Sequence, residues 1–176
     1  MARVPYVAAD LAEPAEVVAA VRKRRGGKLI ALDRMLLHSP PLAAGWNTYL
    51  GAVRTGLELD ARLREVAMCA VAVINGAEYE FQQHAPVFVA AGGTDAQVQA
   101  LRDPDRAVSD AALFSETERA ALALTIEMTR NVKVRDETFE RAHALLGVRQ
   151  TVELVATIAT YNMVSRFLVA LGVEPE

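Results

Sequence analysis

The sequence predicts an all-α fold, a single-domain helical bundle, on three observations. No segment alternates apolar and polar residues cleanly, so strand signals are absent. Alanine and leucine, strong helix formers, recur along the whole chain. The 176 residues are 52% hydrophobic, enough to bury a sizeable core in one domain. Residues 1–28 read as an N-terminal helical arm and residues 29–176 as the helical domain proper.

The elements follow in order from their punctuation. Pro14 sits in the first turn of a helix that ends at Gly26-Gly27. A second helix runs from about Leu29 to His38 and stops at Ser39-Pro40-Pro41. Ser39 caps a third, which carries Trp46 and Tyr49 and ends near Gly56. Asp60 is the N-cap of a helix over Ala61 to Asn75, broken by Asn75-Gly76. The next starts at Ala77, with Pro86 kinking or dividing it, and closes at Gly92-Gly93. Thr94 and Gln97 form a capping box for a short helix, and Arg102 to Asp110 reads as a loop. Ser115 and Glu118 repeat the capping box and open a long helix to about Val132. A short helix from Asp136 to Leu146 is closed by Gly147, and the last helix spans about Arg149 to Leu171.

Composition excludes some classes. Net charge is −3, so nothing draws the whole chain to phosphate backbones, and no nucleic-acid partner is expected. The run Arg22-Lys23-Arg24-Arg25 with Lys28 reads as an anion patch or as a solvated helix end facing the negative pole of the dipole; the latter is favoured, since no aromatics are interleaved. Cys69 is the only cysteine, so no intramolecular disulfide forms and no oxidising compartment is needed. No sustained apolar run in residues 1–10 resembles a signal peptide, and a cytoplasmic location is expected. Val152 to Leu171 is apolar but carries Glu153, Asn162, Ser165 and Arg166, which are costly in lipid. It reads as a buried helix that contacts the core and another subunit, not a membrane span.

The chemistry concentrates between Glu65 and Pro86. On a helix, Glu80 and His84 stand one turn apart on one face. A carboxylate beside an imidazole fixes its tautomer, and such a pair moves protons at neutral pH. The same spacing also occurs in ordinary helix pairs that only support packing. A metal site from Glu65, Glu80, His84 and His38 is disfavoured, because no tight His-x-x-x-His spacing supports it; neither metal nor cofactor is expected.

The run Asn75-Gly76-Ala77-Glu78-Tyr79-Glu80, followed by Gln82-Gln83-His84-Ala85-Pro86, resembles the signature helix of the carboxymuconolactone decarboxylase and alkylhydroperoxidase-D superfamily. So do Arg64-Glu65-Val66-Ala67 before it, Leu37-His38-Ser39-Pro40 with Trp46-Asn47 upstream, and the closing segment from Tyr161 to Leu168. The resemblance implies an AhpD-like helical bundle. The peroxidase branch carries Cys-x-x-Cys-x-x-x-His here, with a glutamate fifteen residues before the second cysteine. Counting from His84, those cysteine positions hold Ala77 and Glu80, and the glutamate falls on Glu65. The chain thus resembles a cysteine-less subgroup.

Neither Ala77 nor Glu80 can form a thiolate or a disulfide. Cys69, in a run of small apolar residues, reads as core. A peroxiredoxin or alkylhydroperoxidase activity is therefore disfavoured. The resemblance implies instead a decarboxylase-like lyase acting on an organic acid or lactone. His84 would be the proton donor, Glu80 would orient it or share the proton, and Glu65 would be a second carboxylate nearby. Arg166 or Arg34 would bind a substrate carboxylate, and Trp46, Tyr49, Tyr79, His38 and Asn162 would line the ligand. Arg166 paired with Glu65 or Glu153, Trp46 and Tyr49 as core aromatics, and His38 as a helix cap are the structural alternatives. A non-catalytic member that only binds an apolar acid, and a redox protein using Cys69 between subunits, are the other functional readings. The resemblance also implies a homo-oligomer, trimer or hexamer. The lactone decarboxylases with this signature are shorter, so the substrate stays open.

Overall fold

The computed structural model describes residues 2–175, and every regular element among them is an α-helix. Two compact units are distinguished: Met1–Leu57 with Ala170–Glu176, and Glu58–Val169.

In the first unit, α1 (Ala15–Arg24) and α2 (Ala31–Leu36) both pack on α3 (Pro40–Thr55). Helix α2 is shorter than expected. Leu37 to Ser39 tighten into turn bonds, Ser39 N–H to Leu36 O at 2.9 Å, because Pro40 and Pro41 bar a helical continuation. Ser39 occupies the N-cap position of α3, yet its side chain makes no cap bond. Prolines at the first two helical positions remove donors that a cap would otherwise serve. The basic run is consumed within this unit. Arg22 donates to the carbonyls of Ala9, Leu11 and Gly27. Arg24 and Arg25 lie 3.5 and 3.1 Å from the buried Asp33, and Arg24 also donates to Asn47. Buried Asp33 requires such partners, which accounts for the cluster without a nucleic-acid ligand.

The second unit is organised around α4 (Ala61–Ile74), which packs on α5 (Glu78–Ala90) and α8 (Glu116–Asn131). Asp60 caps α4 by accepting from the backbone of Arg62 and Leu63. Every residue from Val66 to Ala72 is fully buried. Four of these seven, Ala67, Cys69, Ala70 and Ala72, are small, which lets neighbouring helices approach α4 closely. Phe81, Phe88, Phe114 and Leu122 fill the spaces left around it. Fully burying one such side chain is worth roughly 1.5–3 kcal/mol.

Helices α6 (Asp95–Ala100) and α8 open on the capping boxes of Thr94 with Gln97 and Ser115 with Glu118. The stretch expected to be a loop contains a one-turn helix, α7 (Pro104–Ala107), because Asp103 accepts from Arg106 N–H and Pro104 takes the first helical position. Pro86 does not divide α5. The carbonyl it leaves unbonded belongs to Gln82, and both residues are solvent-exposed, so water serves that carbonyl.

The last element, α9 (Asp136–Leu171), is interrupted at Gly147, where φ of 71° and ψ of 177° take the chain out of the helix. After this break, Leu154, Ile158, Tyr161, Ser165 and Leu168 form one buried stripe at spacings of three and four. By length and composition α9 is apolar enough to cross a membrane; 44% of its most apolar window is buried, as in the core helix of a soluble protein.

Candidate active site

The turn between α4 and α5 brings the signature residues together. Asn75 ends α4, Gly76 adopts φ of +67°, and Ala77 N–H returns to Ala72 O at 2.8 Å. The two helices then run back along each other. At about 1.5 Å of rise per residue, Glu65 and His84 both stand roughly 10–14 Å from this turn. One turn nearer to it, Cys69 on α4 faces the region of Glu80 on α5. The sequence spacing is thus read out as a two-rung ladder.

On the first rung, His84 Nδ1 donates to Glu65 Oε2 at 2.6 Å. The side chains are 6% and 4% exposed, so the bond is made out of water, at a length typical of a charge-assisted contact. The second Glu65 oxygen lies 3.7 Å from Arg64 Nε. The Tyr161 ring meets the imidazole edge-on, with centroids 4.8 Å apart. On the second rung, Ser165 Oγ lies 2.9 Å from Glu80 Oε1 and 2.8 Å from Tyr161 O. Glu80 itself is 2% exposed.

Glu80 and His84 do share a buried face of α5, as the spacing predicts. The carboxylate bonded to the ring at Nδ1 is Glu65, on the neighbouring helix. Cys69 is wholly buried, and its thiol is pushed far up, first by burial and then by the charges of Glu65 and Glu80. It is core, with no thiolate character at neutral pH.

The remaining expected residues are placed as follows. Tyr79 is buried on α5. Asn162 and Arg166 belong to a separate network. Asn162 Oδ1 accepts from Asn75 Nδ2 and Arg166 Nη1, while its Nδ2 donates to Thr129 Oγ1 and Ile158 O. These four bonds fill the amide's capacity, leaving nothing for a ligand. Arg166 is exposed and bonded to Asn162, not paired with Glu65 or Glu153. In the first unit, Trp46 is buried, Tyr49 is 47% exposed, and His38 Nε2 donates to Pro5 O at 2.7 Å. Among the described residues no three His, Cys, Asp or Glu side chains are arranged to hold a metal ion. Sequence reasoning missed Tyr161 and Ser165 as neighbours of the pair. Their signal was a hydroxyl four residues after a tyrosine on the buried stripe of α9.

The structure is thus an all-helical bundle with a buried carboxylate–imidazole pair held between two antiparallel central helices. Residues 40–127, half of the chain, match the sequence model of the carboxymuconolactone decarboxylase family, and the chain belongs to that family. No curated protein matches it. Three solved structures share the fold. A peroxidase-related protein from Silicibacter sp. TM1040 superposes with a TM-score of 0.79 at 17% identity, covering 93% of this chain and 86% of its own. A protein of unknown function from Agrobacterium tumefaciens, whose description proposes an AhpD antioxidant-defence role, gives 0.73 at 17% identity over 81% and 95%. A cysteine-to-alanine variant of the debrominase Bmp8, in complex with 2,3,4-tribromopyrrole, gives 0.83 at 16% identity over 100% and 94%. At these identities the likenesses establish the fold alone.

Proposed function

We propose that this chain is a thiol-free acid–base catalyst, a decarboxylase-like lyase acting on a small organic acid or lactone. The observation that carries the reading is the buried 2.6 Å bond between His84 Nδ1 and Glu65. A carboxylate in that position stabilises the imidazolium and presents Nε2–H as the acid. In the proposed step the substrate's carboxylate leaves as CO2, its bonding electron pair moves into the conjugated system, and His84 delivers a proton to the carbon that receives it. Water then reprotonates the ring. The Tyr161 ring, edge-on to the imidazole, and the burial of the pair favour this direction, because the substrate's charge is lost as CO2 departs. Glu80, held by Ser165, supplies a second carboxyl group one turn away.

The redox reading has less support. Ala77 and Glu80 stand where a cysteine pair would be required, and the Cys69 thiol is buried and resists ionisation. CO2 release from a panel of carboxylated lactones tests the proposal. Turnover should survive Cys69→Ser and vanish in His84→Ala; dependence on Cys69 with indifference to His84 would reverse the assignment.

The chain works as a homo-oligomer, a trimer or hexamer, in the cytoplasm. The support is the outer side of α9, where Val148, Val152, Met163 and Val169 are all more than 40% exposed on an apolar helix. Light scattering that returns a monomer would contradict this.

A further inference from the structure

The first unit carries a cleft of about 740 Å³, lined entirely by its own residues. That volume lies within the range of small-molecule sites, roughly 300–1,000 Å³. Val4, Pro5, Leu29 and Ala31 supply apolar wall. Two cations, Arg3 and Arg34, line it, with Glu174 the one acidic residue among its described lining.

These two arginines differ from those of the basic run. Arg22, Arg24 and Arg25 spend their guanidinium groups on carbonyls, Asn47 and Asp33. Arg34 is held only at one edge. Its Nε donates to Val7 O at 2.8 Å, and its guanidinium carbon stands 5.0 Å from the centroid of the Tyr6 ring. Both contacts fix the plane of the group, and its terminal nitrogens make no hydrogen bond among the described residues. The side chain of Arg3 makes none either, although its backbone is anchored by an N–H to Leu171 O at 2.9 Å. A planar, oriented fork with open donors is the geometry that recognises a carboxylate in bidentate fashion.

We infer that this cleft is a binding site for a monocarboxylic acid with an apolar body, a site additional to the Glu65–His84 cluster. The carboxylate docks on the Arg34 fork with Arg3 as the second cation. The apolar body lies along Pro5 and Leu29.

Calorimetric titration of the full chain with 2-naphthoate tests the inference, with acetate as the headgroup-only control. Naphthoate should bind saturably, and acetate at least about tenfold more weakly, since it lacks the apolar body. Arg34→Lys keeps the charge but loses the fork and should weaken naphthoate at least about tenfold. Because Arg34 also holds Val7, Arg3→Gln is the second variant. That side chain bonds nothing in the described structure, so a several-fold loss there reads the site without unseating the segment. Naphthoate binding should be unchanged in His84→Ala, which separates this site from the proposed catalytic one. Absence of saturable binding, acetate binding equal to naphthoate, wild-type affinity in both arginine variants, or a loss seen only in His84→Ala would each overturn it.

Discussion

Two polar networks sit inside the second unit, and they are built on opposite principles. Around Asn162 every partner is neutral except the exposed Arg166, and four hydrogen bonds use all the amide can make. Around His84 the carboxylates are ionisable, buried and close, Glu65 at 2.6 Å and Glu80 one turn away, with the Ser165 hydroxyl within reach of both Glu80 and the Tyr161 carbonyl. The first network ties the end of α4 to α8 and α9, and a saturated amide is a fastening. The second places charge where water cannot pay for its desolvation, which a purely structural contact would not need. The contrast teaches that buried polarity marks a chemical site only where its protonation state can change.

Substitutions can break this comparison in graded ways. The largest effect is expected from His84→Ala, which should cut turnover on an accepted substrate by about 10²–10⁴-fold, the usual worth of a positioned acid. Asn162→Ala should leave the pH dependence of the rate unmoved. Glu65→Ala strips the imidazole of its buried partner and should cost about 3–5 kcal/mol in denaturant unfolding. Asn162→Ala orphans several donors and acceptors at once, yet its centre is half-buried; about 1–3 kcal/mol is expected.

Cys69 sharpens the comparison through pH. Its thiol ionises near 9.0 when unfolded and only at much higher pH when folded. The folded state therefore keeps a proton that the unfolded state gives up. The associated stability is complete below pH 9.0 and is lost as pH rises from there towards the folded value. Wild-type protein should lose about 1.4 kcal/mol per pH unit in that window from this group. Cys69→Ala should lack that component, which parallel unfolding curves at pH 8 and 10 would reveal. The smallest effect is at Asp60, whose cap on α4 should be worth about 1 kcal/mol in Asp60→Ala.

Much of this was legible in the residues. The capping boxes at Thr94 and Ser115, the break at Gly147 and the Asp60 cap are local signals, and local chemistry decides them. The one-turn helix at Pro104 carried its signal in Asp103-Pro104, but alternating charges around it masked a helix too short to show periodicity. The site was half legible. Spacing put Glu80 and His84 on one face, because both lie on a single helix. It could not show that Glu65 takes Nδ1, since that pairing depends on the register set by the Asn75-Gly76 turn. Nor could it show that Ser165 reaches Glu80 across eighty-five positions of sequence. Asn162 looked available for a ligand because sequence does not reveal that its amide is already taken up by Asn75, Thr129, Ile158 and Arg166.

The central claim is that Glu65 fixes the His84 ring through its Nδ1–H. Nitrogen-15 NMR of the imidazole side chains, in wild-type protein and in Glu65→Gln, measures this directly. The account predicts a protonated Nδ1 in the wild type, and a changed tautomer or charge state for His84 alone in the variant. A wild-type His84 with a bare Nδ1, or one whose spectrum is indifferent to Glu65→Gln, would contradict it.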